Sequence, residues 1–302
     1  MEPLISIALC TYNGANYLPQ QLDSILNQTY KNIELIVVDD GSTDGTKEIL
    51  EEYANQYKEI KLYFNERNIG FNSNFERAIS LCSGKFIAIS DQDDIWKKNK
   101  LELLHENITD NWLIFSNSSF IDETGKIING QILDKNFSLD GKDFKSLLFS
   151  NFVTGHTALF SKEFIPFLLP IPHQGFYDWW MGFVAIYHKK ITYLNQVLTF
   201  HRIHSSSVMY RDETAKTTQG RDERYKEIID NLAITKNYKN LCKNDEILIY
   251  KLFKAYSRLN FLDKIFLIRI FFNNYPVLFP DLKPRNGLSR LNYALKLVRK
   301  TY

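Results

Sequence analysis

Three carboxylates within four residues are the strongest chemical signal in the sequence. Asp91, Asp93 and Asp94 follow directly on an apolar run. Like charges this close repel and raise one another's pKa, so the arrangement favours a hard divalent cation with oxygen ligands, Mn²⁺ or Mg²⁺. The alternative is a solvated acidic turn that binds nothing. A second acidic pair after another apolar run, Asp39 and Asp40, favours the metal site.

These acidic turns lie at the ends of predicted strands. Short β-branched runs alternate with amphipathic helical patterns over residues 4–115, which is typical of a mostly parallel sheet covered by helices. The predicted strands are residues 4–10, 33–38, 60–64 and 86–90. Ligands of such sheets bind beyond the carboxyl ends of the strands. The sequence therefore predicts an α/β fold with a site at the polar turns that follow these strands.

The middle of the chain has a mixed pattern, which indicates an α+β continuation of the same domain. Over residues 112–204 the sequence predicts a hairpin turn at 123–125, a helix near 178–187 and strands at 191–194 and 197–201.

Helices are predicted for the C-terminal part of the chain. Residues 221–274 have helical patterns, and Pro276, Pro280 and Pro284 are expected to interrupt the chain after them. The last amphipathic helix has apolar positions at Leu288, Leu291, Leu295 and Val298.

Composition and charge argue against a disordered chain and against a dedicated nucleic-acid-binding protein. The chain has 302 residues, 44% of them hydrophobic, so it can bury a sizeable core. Its 37 basic and 35 acidic side chains lack the positive excess of a dedicated nucleic-acid binder. The charge is uneven, because residues 221–302 have 17 basic and 8 acidic side chains, a net +9, whereas residues 1–220 have 20 and 27, a net −7. We expect the two parts to have different roles.

Cysteine usage and hydropathy indicate a cytoplasmic protein. Cys10, Cys82 and Cys242 are widely spaced and odd in number, which favours free thiols in a reducing compartment. The apolar stretch 4–10 is too short and wrongly flanked for a signal peptide. No run reaches the roughly 20 apolar residues that a bilayer span requires.

The sequence lacks the motifs of several other enzyme classes. Only Gly14 of the dinucleotide-binding glycine fingerprint is present, and residues 41–47 misplace the lysine of a phosphate-binding loop. The chain has no Gly-x-Ser-x-Gly elbow, no His-Glu-x-x-His and no paired cysteine spacing, so hydrolase and zinc sites are not indicated.

Three motifs, in order, resemble the family 2 glycosyltransferases with the GT-A fold. A Thr-Tyr-Asn motif ends the first strand at residues 10–14, Asp-Asp-Gly-Ser ends the second at 38–44, and a metal-binding Asp-x-Asp ends a third at 90–96. The likeness covers about residues 3–205 and extends to shorter matches at residues 67–70, 177–180 and 201–204. A sugar-nucleotide pyrophosphorylase could share the fold, but its Gly-rich, Arg-containing N-terminal loop is missing.

The resemblance implies a nucleotide-binding role for the first two motifs. Thr11, Tyr12 and Asp40 would hold a pyrimidine base, by stacking and by a carboxylate that accepts from the ring imide N–H. Asn13 belongs to the same nucleotide-binding set, and Asp39 is the less favoured of the two aspartates for the base.

The third motif would hold the rest of the donor. By resemblance, Asp91 contacts the ribose, Asp93 ligates the metal that bridges the diphosphate, and Asp94 assists nearby. His204 would be a further metal ligand and Arg67 a further nucleotide contact. The alternative for these last two is an ordinary surface or structural hydrogen-bonding role.

The catalytic carboxylate of the family corresponds to Asp178. It would act as general base on the acceptor hydroxyl, and direct displacement would invert the anomeric configuration. The alternative for Asp178 is a helix cap. The neighbouring Trp179 and Trp180 either wall the acceptor site or belong to the core.

The resemblance also implies an organisation and partners. Residues 1–205 would form the GT-A domain, with a nucleotide-binding part at 1–115 and an acceptor-binding part at 116–205, and residues 206–302 a basic helical region. The donor would be dTDP-rhamnose, because residues 90–96 resemble bacterial rhamnosyltransferases, or a UDP-hexose. The acceptor would be a saccharide or lipid-linked hydroxyl in cell-surface polysaccharide synthesis.

Two alternatives stay open. A catalytically silent nucleotide-sugar-binding or scaffold protein would share the fold. The basic, aromatic C-terminal region is expected to bind peripherally to an anionic membrane surface. Alternatively it forms a helical core or a dimer contact, so the oligomeric state is open.

Overall fold

A computed structural model describes residues 2–204, 218–279 and 286–300. Its strands are β1 (Ile5–Thr11), β2 (Ile33–Asp39), β3 (Ile60–Phe64), β4 (Phe86–Ser90), β5 (Ile95–Trp96), β6 (Leu113–Ile121), β7 (Ile127–Gln131), β8 (Ala158–Ser161) and β9 (Ile191–Arg202). Its α-helices are α1 (Leu18–Leu26), α2 (Thr46–Gln56), α3 (Phe71–Leu81), α4 (Lys100–Asn107), α5 (Ile165–Leu168), α6 (Tyr177–Tyr187), α7 (Thr218–Thr235), α8 (Lys243–Arg258), α9 (Phe261–Asn273), α10 (Tyr275–Leu278) and α11 (Gly287–Lys300). Short 3₁₀ helices cover Phe144–Leu147, Gly155–Thr157 and Lys162–Phe164.

The parallel half of the sheet confirms the four predicted strands. The strand order is β3-β2-β1-β4-β8-β6-β9-β5, with β7 paired to β6. Strands β3, β2, β1 and β4 are parallel, and Thr11 pairs with Asp39. This pairing extends β1 and β2 one residue beyond the predicted ends. The polar turns after β1, β2 and β4 therefore lie side by side at one edge.

The other half of the sheet is mixed. Strand β8 is antiparallel to β4 and to β6, β9 is parallel to β6, and β5 is antiparallel to β9. The predicted hairpin at 123–125 is confirmed between β6 and β7. The prediction of two strands at 191–194 and 197–201 is wrong, because β9 runs continuously and only its register shifts opposite Ser116 and Asn117. The bulge interrupts the alternation of side chains but not the strand.

Side chains of the sheet alternate between two cores. Ile5, Ile7 and Leu9 of β1 face one core, which α1, α2 and α4 cover, whereas Ala8 faces the other. Helices α3 and α6 and the C-terminal helices cover that second core. The two-residue period of β1 thus places a helical layer on each face, and the predicted GT-A-type α/β fold is confirmed.

The predicted helical C-terminal region is confirmed and shares the second core with the sheet. Asn231 of α7 donates from Nδ2 to the carbonyl oxygen of Leu147 at 3.0 Å, and the Trp180 and Tyr238 rings meet at 5.3 Å. Among the described residues, no helix has the length and apolarity needed to cross a bilayer.

Two predictions concern where helices end and where the GT-A domain divides. The long helix α9 ends at Asn273, just before Pro276, as predicted. Pro276 lies in the first turn of the separate short helix α10, where its missing N–H costs no helical hydrogen bond. Pro280 and Pro284 lie outside the described residues. The predicted boundary at 115/116 falls inside β6, so both parts of the predicted GT-A domain share one sheet, and the division stays a prediction.

Candidate active site

The turns after β1 and β2 are tied together by hydrogen bonds. The buried Asp39 carboxylate accepts from Thr11 Oγ1 at 2.9 Å and from Ser42 N at 2.9 Å. Asn13 donates its backbone N–H to Ser42 Oγ at 2.8 Å, and its side-chain oxygen accepts from Thr43 N at 2.8 Å. Three of the predicted nucleotide-binding residues, Thr11, Asn13 and Asp39, therefore hold the two turns in one rigid unit.

Asp40 holds a third segment against this unit. Its carboxylate is buried and accepts from Asn65 Nδ2 at 2.6 Å, Ile69 N at 2.9 Å and Gly70 N at 3.0 Å. These bonds use three of the roughly four acceptor positions of a carboxylate, which leaves one for a ligand. The segment carries Arg67, which is exposed.

Tyr12 presents its ring outward from the same unit. The side chain is 46% exposed, so one face is accessible for stacking. Its backbone N–H and C=O both bond to the Gln92 side chain, a residue that sequence reasoning treated only as the variable position of Asp-x-Asp.

Carboxylates and imidazoles gather next to Tyr12, at the ends of β4 and β9 and in the 3₁₀ helix Gly155–Thr157. We call this group the acid–histidine cluster, and its members are Asp91, Asp93, Asp94, His156, His201 and His204. The two predicted metal ligands lie together, since His204 Nε2 is 2.9 Å from Asp93 Oδ2. His201 Nδ1 lies 2.9 Å from Asp94 Oδ1, and His156 Nδ1 lies 3.7 Å from carboxylate oxygens of both Asp91 and Asp94.

The charges within the cluster are strongly coupled. Burial opposes protonation of His201, but the Asp94 carboxylate outweighs it and raises the His201 pKa to about 9. Burial lowers the pKa of His156 to about 3, so this imidazole is neutral. Burial and the charges of Asp94 and Asp93 raise the pKa of Asp91 well above its usual range.

The cluster also contains polar atoms that the protein leaves unpaired. Asp94 Oδ2 and His201 Nε2 are buried and have no hydrogen-bond partner among the described residues. The nearest ligand atoms of Asp94, His156 and His201 lie within 4.8 Å of one another. A buried carboxylate oxygen of Asp94 without a hydrogen-bond partner among the described residues, beside the predicted ligands Asp93 and His204, suits a divalent metal, so the cluster fits the predicted cofactor.

Two buried basic residues flank the cluster, and neither was among the predicted site residues, although Arg202 lies within the match at 201–204. Lys100 Nζ donates to the carbonyl oxygen of His156 at 2.5 Å and lies 3.5 Å from the centre of the Trp96 ring. Burial lowers its pKa well below the usual range. Arg202 Nε donates to the carbonyl oxygen of Asp93 at 2.8 Å. The sequence around Lys100 and His156 contains no motif that marks either residue.

Asp178 lies in the first turn of α6, as predicted. The start of α3 fixes this turn, because Asn72 Oδ1 accepts from Tyr177 N at 3.1 Å and Asn72 Nδ2 donates to the carbonyl oxygen of Pro172 at 2.8 Å. Asn151 Nδ2 donates to Asp178 Oδ1 at 3.2 Å. Burial raises the pKa of Asp178 to about 6.

The helix-cap alternative for Asp178 is only partly met. The N-cap position is Phe176, which makes no side-chain cap, although Asp178 accepts from Trp179 N within the first turn. Both tryptophans lie in the core, since the Trp179 and Trp180 indole N–H groups donate to the carbonyl oxygens of Leu147 and Leu168. They present little surface to an acceptor.

Comparison with known proteins identifies the family. The sequence profile of Glycosyl transferase family 2 matches residues 6–166, which include every turn of the site except those of α6 and β9. The chain belongs to this family.

Curated relatives are also described as glycosyltransferases. An uncharacterized glycosyltransferase of Haemophilus influenzae is 34% identical over 210 residues, which cover 68% of this chain and 82% of the relative. A cholesterol galactosyltransferase of Borreliella burgdorferi is 34% identical over 154 residues, covering 50% of this chain and 43% of that protein. In three further relatives the match spans 42%, 66% and 18% of their length.

Solved structures share the GT-A fold. S. aureus TarS 1–349 in complex with UDP-GlcNAc has a TM-score of 0.60 at 17% identity and covers 99% of this chain and 89% of its own. The mannosyltransferase PcManGT from Pyrobaculum calidifontis, in complex with GDP-Man and Mn²⁺, has the same score and identity and covers 99% and 76%. At this identity the likeness concerns the fold.

Proposed function

We propose that the chain is an inverting, metal-dependent glycosyltransferase that moves a sugar from a nucleoside-diphosphate donor to a hydroxyl group of a saccharide or lipid-linked acceptor. The observation that carries the proposal is the position of Asp178. Its carboxylate accepts from the backbone N–H of Gly155 at 3.4 Å, next to His156 of the acid–histidine cluster, and burial raises its pKa to about 6. A base so tuned, next to an acidic cluster, suits deprotonation of a hydroxyl beside a bound diphosphate.

The nucleoside would lie on the turns after β1 and β2. The accessible Tyr12 ring offers a stacking face, and the remaining acceptor position of Asp40 can take a base N–H. Asp91, whose carboxyl group is partly exposed, would accept from the ribose hydroxyls, and Arg67 would reach the nucleotide from the third segment.

Asp93 and His204 would hold the divalent cation, with Asp94 behind them. When bound, Mn²⁺ or Mg²⁺ supplies Lewis-acid stabilisation of the charge on the departing diphosphate. Asp178 accepts the proton of the acceptor hydroxyl as its oxygen attacks the anomeric carbon. Attack opposite the leaving group, with no covalent intermediate, inverts the configuration.

The donor is proposed as dTDP-rhamnose or a UDP-hexose. TarS in complex with UDP-GlcNAc and PcManGT with GDP-Man support a nucleotide sugar as donor class. One relative supports a role in cell-surface polysaccharide synthesis. It is a putative teichuronic acid biosynthesis glycosyltransferase of Bacillus subtilis, 38% identical over 101 residues.

A donor panel tests the function. Binding and slow hydrolysis of dTDP-rhamnose, UDP-glucose, UDP-GlcNAc and GDP-mannose are measured with Mn²⁺ and with EDTA, for the protein and for Asp178→Asn. We expect one donor to bind with Mn²⁺ and to be hydrolysed only by the protein with Asp178. Binding without hydrolysis or transfer would instead support a silent nucleotide-sugar-binding protein. Absence of binding to all four would overturn both.

We also propose that helices α9 and α11 meet an anionic membrane surface, where a lipid-linked acceptor would lie. Phe261 and Leu262 of α9 are 75% and 73% exposed, and Leu288 of α11 is 79% exposed. The one acidic residue of these two helices, Asp263, is buried and paired with Arg258 at 2.9 Å. Basic side chains on their exposed faces are Arg269, Lys296 and Arg299. Apolar anchors among basic groups suit an anionic interface.

Liposome flotation tests the membrane contact. We expect recovery with vesicles containing anionic lipid, less with neutral vesicles, and a loss in the double variant Phe261→Ser, Leu262→Ser. Tyr250→Ser is the matched control, because Tyr250 is an exposed aromatic of α8. Equal recovery with both vesicle types overturns the proposal. So does a dimer that the double variant converts to a monomer, since these helices would then contact a second copy.

A further inference from the structure

The Gln92 side chain joins two turns of the site by a pair of hydrogen bonds. Its Oε1 accepts from the backbone N–H of Tyr12 at 2.8 Å, and its Nε2 donates to the backbone C=O of Tyr12 at 3.1 Å. The amide thus pairs with one residue in both directions, as a neighbouring strand would. If the amide were rotated by 180°, its NH₂ group would face the Tyr12 N–H and its oxygen would face the Tyr12 C=O. The contact therefore selects one orientation of the amide.

Gly14 creates the space for this amide. A Cβ atom at position 14 would lie 2.3 Å from Gln92 Oε1 and 2.5 Å from Gln92 Cδ. Real Cβ atoms do not approach other atoms so closely, so any other residue at position 14 displaces the Gln92 amide. The glycine of the Thr-Tyr-Asn-Gly turn is therefore explained by a residue 78 positions later in the chain.

The contact connects the two ends of the proposed donor site. Strands β1 and β4 are parallel neighbours, with Leu9 opposite Ser90, but they pair only up to that point. Beyond it the β1 turn presents the Tyr12 ring and the β4 turn presents Asp91 and Asp93. The Gln92 amide continues the connection past the last strand pair, between the stacking face and the carboxylates.

We propose that Gln92 is a positioning residue that sets the separation between the base platform at Tyr12 and the metal-diphosphate end at Asp91 and Asp93. The inference rests on the proposed function. A nucleoside diphosphate spans both ends, so a fixed separation lets the base and the metal-bound diphosphate bind at once without reordering of either turn. Binding of the divalent cation and of the nucleotide is then cooperative, and Gln92 carries that cooperativity.

The experiment compares nucleotide affinity with and without Mn²⁺. UDP, dTDP and GDP are titrated into the protein in Mn²⁺ and in EDTA by calorimetry, and the ratio of the two dissociation constants is the metal enhancement. Gln92→Met keeps the length of the side chain but loses both hydrogen bonds. We expect the loss of both hydrogen bonds to reduce the enhancement about tenfold, which corresponds to about 1.4 kcal/mol.

Asn13→Gly is the matched control. Asn13 joins the turns after β1 and β2, both on the base side, and its φ of 49° suits glycine. This variant should weaken the nucleotide equally in Mn²⁺ and in EDTA and leave the enhancement unchanged. A general loosening of the site would lower affinity in both variants without separating them.

Gly14→Ala provides an independent way to displace the amide. Alone it should reduce the enhancement as Gln92→Met does, whereas Gly14→Ala combined with Gln92→Ala should add little to Gln92→Ala, because the colliding atoms are gone. Thermal unfolding of each variant identifies those that fail to fold, and Gln92→Met carries the test if Gly14→Ala does not.

The outcomes separate this inference from the proposed function. If the protein binds none of UDP, dTDP and GDP in Mn²⁺, the proposed function fails and the inference fails with it. If the protein shows a metal enhancement and Gln92→Met retains it in full, the inference alone is overturned.

Discussion

Two neighbouring regions at the carboxyl ends of the strands differ in how their buried polar groups are hydrogen-bonded. In the turns after β1 and β2, the buried carboxylates of Asp39 and Asp40 each accept three hydrogen bonds from the chain. In the acid–histidine cluster, Asp94 Oδ2 and His201 Nε2 are buried without a partner among the described residues. In the first region the chain satisfies most acceptor positions and leaves one on Asp40, whereas in the second region two buried polar atoms have no hydrogen-bond partner among the described residues.

The difference indicates how each region contributes. A satisfied network is rigid and gives a ligand a preformed surface at little entropic cost. Carboxylates that lie this close together repel one another, so the cluster favours the binding of positive charge. We therefore expect variants of the cluster to lose catalysis and variants of the turns to lose stability.

The largest effect is expected at the metal end. Asp93→Ala should lower the transfer rate on the order of 1,000-fold, because the metal contributes several kcal/mol to stabilising the leaving group. EDTA should have the same effect on the unmodified protein. Asp110→Ala, on an exposed loop, is the control and should be fully active. Full activity of the Asp93 variant with the donor identified by the panel would remove the metal from the mechanism.

Asp178 should show the next largest effect. Asp178→Asn cannot accept the proton and should lose about 100-fold or more in rate, with donor affinity retained. With Asp178 present, kcat/KM should rise as pH increases through about 6, where the carboxyl group ionises. The pKa is raised in the folded state, so ionisation destabilises the fold, and Asp178→Asn should not lower the melting temperature at pH 7. Near-normal turnover of this variant would contradict the assignment.

The turns should respond in stability. Asp39→Asn replaces one acceptor oxygen by an amide that cannot accept from Thr11 or Ser42, and we expect it to lower the free energy of unfolding by about 2 kcal/mol. Urea unfolding measures the change, and Thr43→Ala, which loses only a 3.4 Å contact to Asn13, is the control. If Asp39→Asn were as stable as the unmodified protein, the turns would not be the rigid unit described above.

The smallest effect is a stability optimum of the metal-free protein. The His201 pKa is raised to about 9 in the folded protein. The stabilisation of the fold by protonated His201 is therefore complete below the unfolded pKa near 6.5 and is lost as the pH rises through about 9. The His156 pKa is lowered to about 3, so protonation of the unfolded chain destabilises the fold as pH falls below 6.5. Melting temperatures in EDTA should therefore peak near pH 6.5 from these two groups.

A histidine variant sharpens that test. His201→Gln should remove most of the loss between pH 6.5 and 9, whereas His173→Gln, on an exposed turn, should leave the profile unchanged. Identical alkaline profiles for the unmodified protein and His201→Gln would show that the Asp94–His201 pair does not titrate as described.

Much of the fold was predictable because its signals are local. Side chains alternate along β1 with a period of two, so Ile5, Ile7 and Leu9 predict one buried face and the strand they belong to. The register shift opposite Ser116 and Asn117 was not predictable, because a bulge disturbs the same alternation that marks a strand. The first turn of α6 was located by its motif, but the burial of Trp179 and Trp180 depends on Leu147 and Leu168, which lie elsewhere in the chain.

The sequence by itself determined which strands end in acidic and polar turns, and hence that carboxylates converge at one edge of a parallel sheet. Only the tertiary structure decided which of those groups are satisfied. Hydrogen-bond partners such as Gln92 for Tyr12, or His201 for Asp94, lie 80 and 107 residues apart in sequence. Such pairs have no spacing that a local pattern can report, and whether a buried polar atom has a partner depends on which distant segments the packed sheet brings within about 3 Å of it.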